Sequence, residues 1–380
     1  MLGFRLSEEQ ESFRLAVRSF AEKELAPRVD ELEAAESFPM DLFRHLGSLG
    51  YLGVGYPEEY GGSGGDMVMR CLLIEELARV NCGFAAALLA HVGLGCIPIF
   101  RFGTEEQKRR YLVPAIKGEK LGSFGLSEPN SGSDAASIRT TAERHGDHYV
   151  INGTKMFITN GNIADYCLVA AYTDRTRRGT GISMFIVDTD TPGFIREKKL
   201  EKLGMHASDT ALLAFQDMRV PGDAVLGEVG KGFYHIMWEL QGERLIGAAG
   251  CVAGAQRCFD MTLQYAKERT AFGRPIGGFQ VIRHKFAEMA TKIETARQMV
   301  YTTAWRVQNG DYPVREISMA KLYASRIAFE VADECLQIHG GNGYMKEYGI
   351  ERAWRDVRLN RIGAGTDEIM LEVIGRSYGL

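Results

Sequence analysis

The spacing of hydrophobic residues changes twice along the chain and divides it into three zones. In the first and third zones, apolar residues recur every three or four positions, which is typical of amphipathic helices. In the middle zone, short alternating runs are separated by Gly, Pro and Asp, which is typical of strands. The order predicts an α+β protein with an N-terminal α-helical domain (1–120), a small all-β middle domain (121–230) and a C-terminal domain of bundled helices (231–380).

Several predicted elements have recognisable ends. Ser7 with Gln10, and Thr104 with Gln107, have the spacing of a capping box, and each pair predicts the start of a helix. Pro27 predicts the end of the first helical pattern.

Two further patterns predict specific elements. In residues 148–159, Asn152 and Gly153 stand between two alternating runs and predict a β-hairpin turn. A bundle helix is predicted by an apolar stripe in the third zone that steps by three or four residues: Phe286, Met289, Ile293, Ala296, Val300, Ala304 and Val307.

Residues 80–100 contain no Asp, Glu, Lys or Arg and are barely long enough to span a bilayer. Asn81, His91, Pro98 and several glycines dilute the stretch, so a buried core helix is the better interpretation. We expect His91 to be a satisfied core or rim histidine rather than a catalyst.

Composition narrows the function classes. The chain is 45% hydrophobic and 25% charged, and its formal net charge is −4, which argues against a nucleic-acid or membrane partner. The seven cysteines form no C-x-x-C pair, so we expect buried small hydrophobes in a reducing compartment and no zinc site. The 44 glycines are more than usual and predict tight turns or close backbone approaches.

Four segments combine glycines, hydroxyls and charges: 123–134 (SFGLSEPNSGSD), 155–161 (KMFITNG), 267–280 (KERTAFGRPIGGFQ) and 337–348 (QIHGGNGYMKEY), with RIGAGTDEIM further on. The first suits an anion or the polar edge of an aromatic ring, and the arginines of the third suit a phosphate. Taken alone, the first three also fit a plain loop, a strand end and a solvated helix end. No Rossmann, P-loop or nucleophile-elbow motif occurs, and His339 is the only histidine beyond residue 284, which argues against a metal cluster.

Glu243 stands at the head of an otherwise small and apolar helical stretch, residues 238–255. Partial burial would raise the pKa of this carboxyl group and make it a better general base. An ion pair with Arg244 or another neighbour is the alternative.

Together, in this order and spacing, SEPNSGSD, KMFITNG, RTAFGRPIGGFQ, HGGNGY and GTDEIM resemble the motifs of the acyl-CoA dehydrogenase family, over essentially the whole chain. The resemblance implies an FAD enzyme that takes an α-proton from an acyl-CoA, passes the β-hydride to the flavin and yields the trans-2-enoyl-CoA. For the fold it implies a β-barrel or sandwich as the middle domain and a four-helix bundle as the C-terminal domain. It also implies a homotetramer and electron-transfer flavoprotein as partner.

The resemblance further implies site residues by position. FAD would be bound by Phe124, Leu126, Ser127, Ser133, Phe157, Ile158, Thr159, Arg269, Phe272, Gln280, Gln337, Ile338, His339, Gly340, Gly341, Thr366 and Glu368. Arg269, Phe272, Gln280 and the 337–341 segment would come from a neighbouring subunit. The substrate would contact Ser133, Gln241, Arg244, Ala364 and Gly365.

One position departs from the common family pattern. Most members place the catalytic glutamate where this chain has Ala364. The isovaleryl-CoA and long-chain subgroup instead has its base in an E-R-L stretch, which here is Glu243, Arg244 and Leu245. The resemblance therefore implies Glu243 as base, and the backbone N–H of Ala364 as an oxyanion donor.

The sequence is compatible with more than one acyl group and more than one electron acceptor. A branched, medium or long acyl chain is plausible, and a dicarboxylic acyl group is disfavoured because the apolar segment offers only His91 as a cation. The alternatives are an O₂-using acyl-CoA oxidase relative and a non-catalytic acyl-CoA or flavin-binding relative. We expect a cytoplasmic protein, or a mitochondrial matrix protein if the sequence is a processed form.

Overall fold

Helices fill the N-terminal zone of the computed structural model, which describes residues 4–380. Both predicted capping boxes are present, at Ser7 with Gln10 and at Thr104 with Gln107. Pro27 does not end the helical region, which continues into α2 (Val29–Ala35). It lies in the first turn of a 3₁₀ segment (Ala26–Arg28), where a backbone N–H has no partner within the helix, so the N–H that proline lacks is not needed. The helices are α1 (Glu8–Phe20), α2 (Val29–Ala35), α3 (Met40–Ser48), α4 (Met67–Ala78), α5 (Cys82–Leu89), α6 (Ile97–Phe102), α7 (Glu105–Gln107) and α8 (Val113–Ile116).

The apolar segment Cys82–Phe102 is long and apolar enough to cross a membrane, but 78% of its most hydrophobic window is buried inside the protein. It forms α5, a π-helical turn at Ala90–Gly95, and α6. The side chain of Asn81 caps α5 by accepting a hydrogen bond from the Phe84 N–H at 2.8 Å. The interpretation as a core helix is therefore supported.

Seven strands of the middle zone form one sheet in the order β1-β4-β2-β3-β7-β6, with β5 paired to β4. Most neighbours are antiparallel, whereas β1 and β2 each pair with β4 in parallel. The strands are β1 (Gly122–Gly125), β2 (Thr141–His145), β3 (His148–Thr159), β4 (Tyr166–Tyr172), β5 (Ile182–Asp188), β6 (Phe194–Lys199) and β7 (Thr210–Pro221).

The hairpin predicted at Asn152 and Gly153 is wrong. Residues 148–159 form one continuous strand, and the turn lies earlier, at Gly146 and Asp147 between β2 and β3. Asn152 and Gly153 instead form an irregularity in the pairing of β3 with β7. The Asn152 side chain accepts from the Asp217 N–H of β7 at 2.8 Å, so the dipeptide is bound across the sheet and does not reverse the chain.

Three long helices dominate the C-terminal zone: α9 (Gly232–Glu268), α10 (Gln280–Gln308) and α11 (Val314–His339). They pack on one another, α9 and α10 also pack on α4, and the shorter α12 (Ile350–Arg358) and α13 (Asp367–Arg376) complete the bundle against α11. The predicted apolar stripe lies on α10, and its central members, Met289 to Ala304, are buried. Between α9 and α10, a small hairpin is formed by β8 (Thr270–Ala271) and β9 (Arg274–Pro275).

The helical zones share one core, and the sheet has a core of its own. All seven cysteines are free and buried, as expected for small hydrophobes. The domain limits near residues 120 and 230 stay predictions, although β1 begins at Gly122 and α9 begins at Gly232.

Candidate active site

Glu243 lies in the N-terminal third of α9 with its side chain half-buried. Its Oε2 atom is shielded from solvent and has no hydrogen-bond partner. Burial raises the pKa of Glu243 to about 7, against the lowering effect of the charges on Arg244 and Lys321. A carboxyl group with a pKa near neutrality is suited to general-base catalysis.

A turn at Ala364 and Gly365 is tied to two helices of the bundle. Arg244 of α9 donates from Nε to the carbonyl oxygen of Ala364 at 2.9 Å, and Lys321 of α11 donates from Nζ to the carbonyl oxygen of Gly365. Both turn residues have positive φ, +55° and +109°. Within residues 4–380 the N–H of Ala364 has no hydrogen-bond acceptor, so it can donate to a ligand.

Gln241 and Arg244 are both buried on α9, with 8% and 5% of their surface exposed. The Gln241 side chain donates from Nε2 to the Met237 carbonyl at 3.2 Å, while its Oε1 has no partner. A buried amide oxygen without a donor is unfavourable until a ligand supplies one. Gln241 therefore keeps an acceptor available for a ligand.

Two residues near Glu243 escaped the sequence analysis. Lys321 is 4% exposed and fixes the 364–365 turn, and Glu239, one helical turn before Glu243, is 1% exposed with an unpartnered Oε1. Burial and the charge of Glu243 raise the pKa of Glu239 well above its usual range. The available sequence signal for Glu239 was its i,i+4 spacing from Glu243 on a largely apolar helix.

In the middle domain, a buried ion pair fixes the loop after β1 against β3. Lys155 is completely buried and donates from Nζ to Glu128 Oε1 at 2.8 Å and to the Leu126 carbonyl at 3.0 Å. The Met156 N–H donates to the Ser127 carbonyl at 2.8 Å. Leu126 and Ser127 are thereby held beside the end of β3.

The predicted residues at the end of β3 face different ways. Phe157 is 64% exposed and has a φ of +62°, whereas Ile158 is 2% exposed and packs into the core of the sheet. The cause is a register irregularity between Lys155 and Ile158. Ile158 can therefore meet a cofactor only through its backbone, while Phe157, the half-buried Thr159 and the half-buried Phe124 of β1 offer side chains.

Arg269, Phe272 and Gln280 are exposed at the junction of α9 and α10. Phe272 stands at the tip of the β8–β9 hairpin and is 95% exposed. Its φ of +51° and the φ of +80° at Gly273 give the positive values of a type I′ turn.

The predicted segment 337–341 ends α11 beside α9. The His339 ring stacks on Tyr265 with 4.2 Å between centroids and is 5% exposed, so its side chain is occupied in packing. Gly340 and Gly341 are exposed, with no atom within 4 Å of the place where a Cβ would stand. Gln337 is exposed and Ile338 is half-buried.

The remaining predicted residues lie on loops and at a helix start. Ser133 is exposed in the loop after β1, and Glu368 is exposed in the first turn of α13. The Thr366 hydroxyl caps α13 by accepting from the Ile369 N–H at 3.3 Å, so this oxygen already has a structural role.

The predicted site residues thus form three groups: a middle-domain group (124–127, 133 and 157–159), a central group (Gln241, Glu243, Arg244, Ala364, Gly365, with Thr366 and Glu368 next to it) and an end group (Arg269, Phe272, Gln280 and 337–341). Arg244 and Ala364 are in direct contact within the central group. Within residues 4–380, no hydrogen bond or aromatic contact joins the middle-domain group to the end group.

The residues of these groups fit an FAD cofactor. An exposed aromatic ring, Phe157, offers a surface for a flat ring system. Gly340 and Gly341 leave open space beside their backbone, and this allows close approach of a phosphate. The exposed Arg269 supplies a guanidinium suited to bidentate phosphate binding.

His91 is a satisfied core histidine, as expected. It is completely buried, its Nδ1 accepts from the Gly122 N–H at 2.9 Å, and its Nε2 lies 3.2 Å from the Ala115 carbonyl. Burial lowers the pKa of His91 to about 4, so the ring is neutral at physiological pH.

Comparison with known proteins gives a consistent result. Family models of the acyl-CoA dehydrogenase N-terminal, middle and C-terminal domains match residues 7–119, 123–218 and 230–379. The mitochondrial isovaleryl-CoA dehydrogenase of Solanum tuberosum is 40% identical over 369 residues, which cover 97% of this chain and 90% of that protein.

Solved structures agree with these matches. The butyryl-CoA dehydrogenase of Megasphaera elsdenii is 42% identical, with a TM-score of 0.97 and all of both chains covered. A chain from a structure described as the electron transferring flavoprotein of Acidaminococcus fermentans is also 42% identical, with a TM-score of 0.97 and 99% of each chain covered.

The predicted family, fold class and cofactor are thus confirmed, and the alternative of a non-catalytic relative is not supported. The three family models together cover most of the described residues, in the order predicted for helical, β and helical zones. The chain belongs to the acyl-CoA dehydrogenase family and is an FAD-dependent oxidoreductase.

Proposed function

We propose that this protein dehydrogenates an acyl-CoA between its α and β carbons to the trans-2-enoyl-CoA, with Glu243 as the base that takes the α-proton. The observation that carries the proposal is the Glu243 carboxyl group itself. Its Oε2 is buried and unpartnered, and burial brings its pKa to about 7, so the group can accept a proton at physiological pH.

A proton α to a thioester is weakly acidic, so a carboxylate removes it only if the developing enolate oxygen is stabilised. The N–H of Ala364 is our proposed donor. Its turn is held at both carbonyls by Arg244 and Lys321, and the N–H is not used within residues 4–380. A donor fixed before the reaction needs no reorganisation when charge develops, which is the physical basis of an oxyanion hole.

FAD, when bound, supplies the acceptor for the hydride that leaves the β-carbon. The residues of this chain are proposed to bind the FAD and to orient it. Phe124, Leu126, Ser127, Phe157, Thr159 and the backbone of Ile158 would hold the ring, with Ser133, Thr366 and Glu368 beside it. Arg269, Phe272, Gln280 and the 337–341 segment would hold the phosphate and adenine end.

The base position supports the isovaleryl-CoA and long-chain type of site. The common glutamate position holds Ala364, whose methyl group leaves room, while Glu243 approaches from α9. The isovaleryl-CoA relative supports a branched acyl group, and the butyryl-CoA relative supports a short one. We propose a branched or medium to long acyl chain, with Gln241 and Arg244 on the substrate side of α9.

We propose a homotetramer with electron-transfer flavoprotein as electron acceptor, in the cytoplasm. Within residues 4–380 no hydrogen bond joins the middle-domain group to the end group, and Phe272 is 95% exposed, which supports completion of each FAD site by a second copy. The Acidaminococcus fermentans structure supports the flavoprotein acceptor. The bacterial source of the solved relatives supports the location.

The test is an anaerobic titration of the purified FAD protein with a panel of straight and branched acyl-CoAs, followed by its visible spectrum. We expect the flavin bands to bleach, most completely with the preferred acyl group. Repeating the reaction in air with an oxygen electrode separates a dehydrogenase from an oxidase, which would consume oxygen at the rate of turnover. Unbleached bands with every acyl-CoA would refute the proposed activity.

A further inference from the structure

The proposed reaction does not use Glu239, although this acid is almost completely buried one helical turn before Glu243 on α9. It is 1% exposed, and its Oε1 has no hydrogen-bond partner. No lysine, arginine or histidine nitrogen among residues 4–380 lies within 4.0 Å of it, in contrast to the buried acids Glu76 and Glu128, which have ion pairs. Such a group is costly to bury unless a ligand completes its hydrogen bonds.

The carboxyl group of Glu239 points away from the α9 backbone toward the apolar segment Cys82–Phe102. A Cβ on Gly93, in the π-helical turn of that segment, would stand 3.9 Å from Glu239 Oε1. Gly93 therefore places no side chain against the carboxyl group. On the same side, Gly247 of α9 faces Leu89 of the segment. Glu239 is thus a polar group in the otherwise apolar wall between α9 and this segment.

The arginine whose charge lowers the pKa of Glu239 already has hydrogen-bond partners of its own. Arg70 of α4 lowers the pKa of Glu239, but its guanidinium donates to the carbonyls of Val54 and Gly55, at 3.1 and 2.7 Å. Burial and the charge of Glu243 act more strongly in the opposite direction and raise the pKa of Glu239, which favours its neutral form. A neutral carboxyl group both donates and accepts a hydrogen bond.

The spacing of Glu239 and Glu243 along α9 indicates which part of the acyl chain Glu239 would contact. It stands four residues before Glu243, which is about 6 Å along the helix axis. If Glu243 reaches the α-carbon, then Glu239 faces the acyl chain several carbons beyond the β-carbon. The carboxylate of Glu243 already places a negative charge in this region, so the second carboxylate of a dicarboxylic substrate would be repelled.

We infer that Glu239 is a specificity residue that hydrogen-bonds an uncharged oxygen, a hydroxyl or a ketone, in the middle of the acyl chain. The preferred substrates are then oxygenated acyl-CoAs of medium or greater length and not plain alkyl ones. The inference rests on the proposed function for the identity of the site, and it deepens that function by naming a substrate class.

The experiment compares four eight-carbon ligands on the FAD-loaded protein: octanoyl-CoA, 6-hydroxyoctanoyl-CoA, 6-oxooctanoyl-CoA and suberyl-CoA. Binding is read from the shift of the flavin bands, and reduction is read separately from their bleaching. For the wild type we expect the hydroxy and oxo ligands to bind about tenfold or more tightly than octanoyl-CoA, as one added buried hydrogen bond requires. In Glu239→Met the preference should vanish or reverse.

One control variant and one further spectroscopic test make the result specific to Glu239. Glu75→Gln changes another buried acid, which accepts from the Tyr301 hydroxyl, and should leave the preference unchanged. Should Glu239→Met fail to fold, infrared difference spectra of the wild type and Glu239→Gln give the second test. A protonated carboxyl band, absent in Glu239→Gln, should shift with 6-oxooctanoyl-CoA and not with octanoyl-CoA.

Each outcome decides the matter. Equal binding of octanoyl-CoA and the oxygenated ligands, a preference that survives in Glu239→Met, or an unshifted carboxyl band overturns the inference. Tightest binding of suberyl-CoA overturns its restriction to uncharged oxygen. Absence of bleaching with all four ligands speaks against the proposed reaction, and the binding preference still tests Glu239.

Discussion

Arg244 donates a hydrogen bond from Nε to the carbonyl oxygen of Ala364 at 2.9 Å, and so joins the helix of the proposed base to the turn of the proposed oxyanion donor. The two residues are 120 positions apart in sequence. Burial of the guanidinium lowers the pKa of Arg244, but arginine stays charged in proteins. The contact fixes the distance between the proposed base and the proposed oxyanion donor. A constant distance is needed because both groups must act on the same substrate at the same time.

Replacement of Glu243 should remove proton abstraction and leave binding in place. In Glu243→Gln we expect flavin bleaching by the best acyl-CoA to slow by a factor on the order of 10²–10⁴, which is the usual contribution of a general base. Stopped-flow spectra give the rate, and the spectral shift on mixing gives the binding. Glu75→Gln is a matched control with a buried acid changed elsewhere. Bleaching at the wild-type rate would eliminate Glu243 as base.

The pH profile should report the same carboxyl group. A base must be deprotonated to act, and the pKa of Glu243 is raised to about 7, so kcat/KM should rise with pH up to about 7 and level off above it. The measurement is initial rate at low substrate between about pH 5.5 and 9, with a mediating dye as acceptor. A profile already flat at pH 5.5 would place the essential base elsewhere.

The raised pKa of Glu243 also links stability to pH. The folded state holds this proton more tightly than the unfolded state, whose glutamate titrates near about 4.3. The stabilisation from Glu243 is therefore complete below that value and is lost as pH rises to about 7. Denaturant unfolding at pH 5 and pH 8 should show that Glu243→Gln gains stability relative to wild type at the higher pH. An unchanged difference between the two pH values would contradict this.

The turn at Ala364 and Gly365 gives opposite expectations for two conservative changes. Ala364 has a φ of +55°, so Ala364→Gly relieves backbone strain and should be neutral or stabilising by up to about 1 kcal/mol. Gly365 has a φ of +109°, and a Cβ there would stand 2.9 Å from Met370 Cε and 3.3 Å from Arg244 Nη2. Gly365→Ala should destabilise by about 1–3 kcal/mol and slow bleaching. Thermal unfolding measures both, and equal effects would argue against this strain.

Periodicity predicted the order of helical and β zones well, because each zone buries one regular face. The stripe of α10 and both capping boxes depend on contacts within a few residues, and all were found. The hairpin at Asn152 and Gly153 failed for the opposite reason. The local turn preference of this dipeptide was overridden by a hydrogen bond to Asp217, which is 65 positions away.

The site residues also divide into features that the local sequence predicts and features that depend on distant contacts. Motif residues were located by position, but which of them present a side chain depends on packing. Ile158 turns into the sheet because of a bulge, and His339 is stacked on Tyr265. Lys321 carried no motif, and its importance appears only when α11 brings it beside Glu243 and the 364–365 turn. Glu239 lies one turn from Glu243 on the same helix, but its burial against the segment Cys82–Phe102 depends on packing.

The buried pair of Lys155 and Glu128 provides a last prediction, for stability and cofactor retention together. Both side chains are almost fully buried, and Glu128 also accepts from the Thr140 hydroxyl at 2.6 Å. Lys155→Met leaves Glu128 as an unpaired buried carboxylate and removes the donor to the Leu126 carbonyl, so we expect a loss of about 3–5 kcal/mol in the free energy of unfolding.

The double variant Lys155→Met with Glu128→Gln separates charge from position. Since no unpaired charge remains, the double variant should recover much of the lost stability. It still lacks the bond that holds Leu126 beside β3, so it should keep weakened FAD retention. Denaturant unfolding and flavin release on gel filtration measure the two effects. A double variant no more stable than Lys155→Met would show that the unpaired carboxylate is not the cause, and full FAD retention would show that the Leu126 contact does not position the cofactor loop.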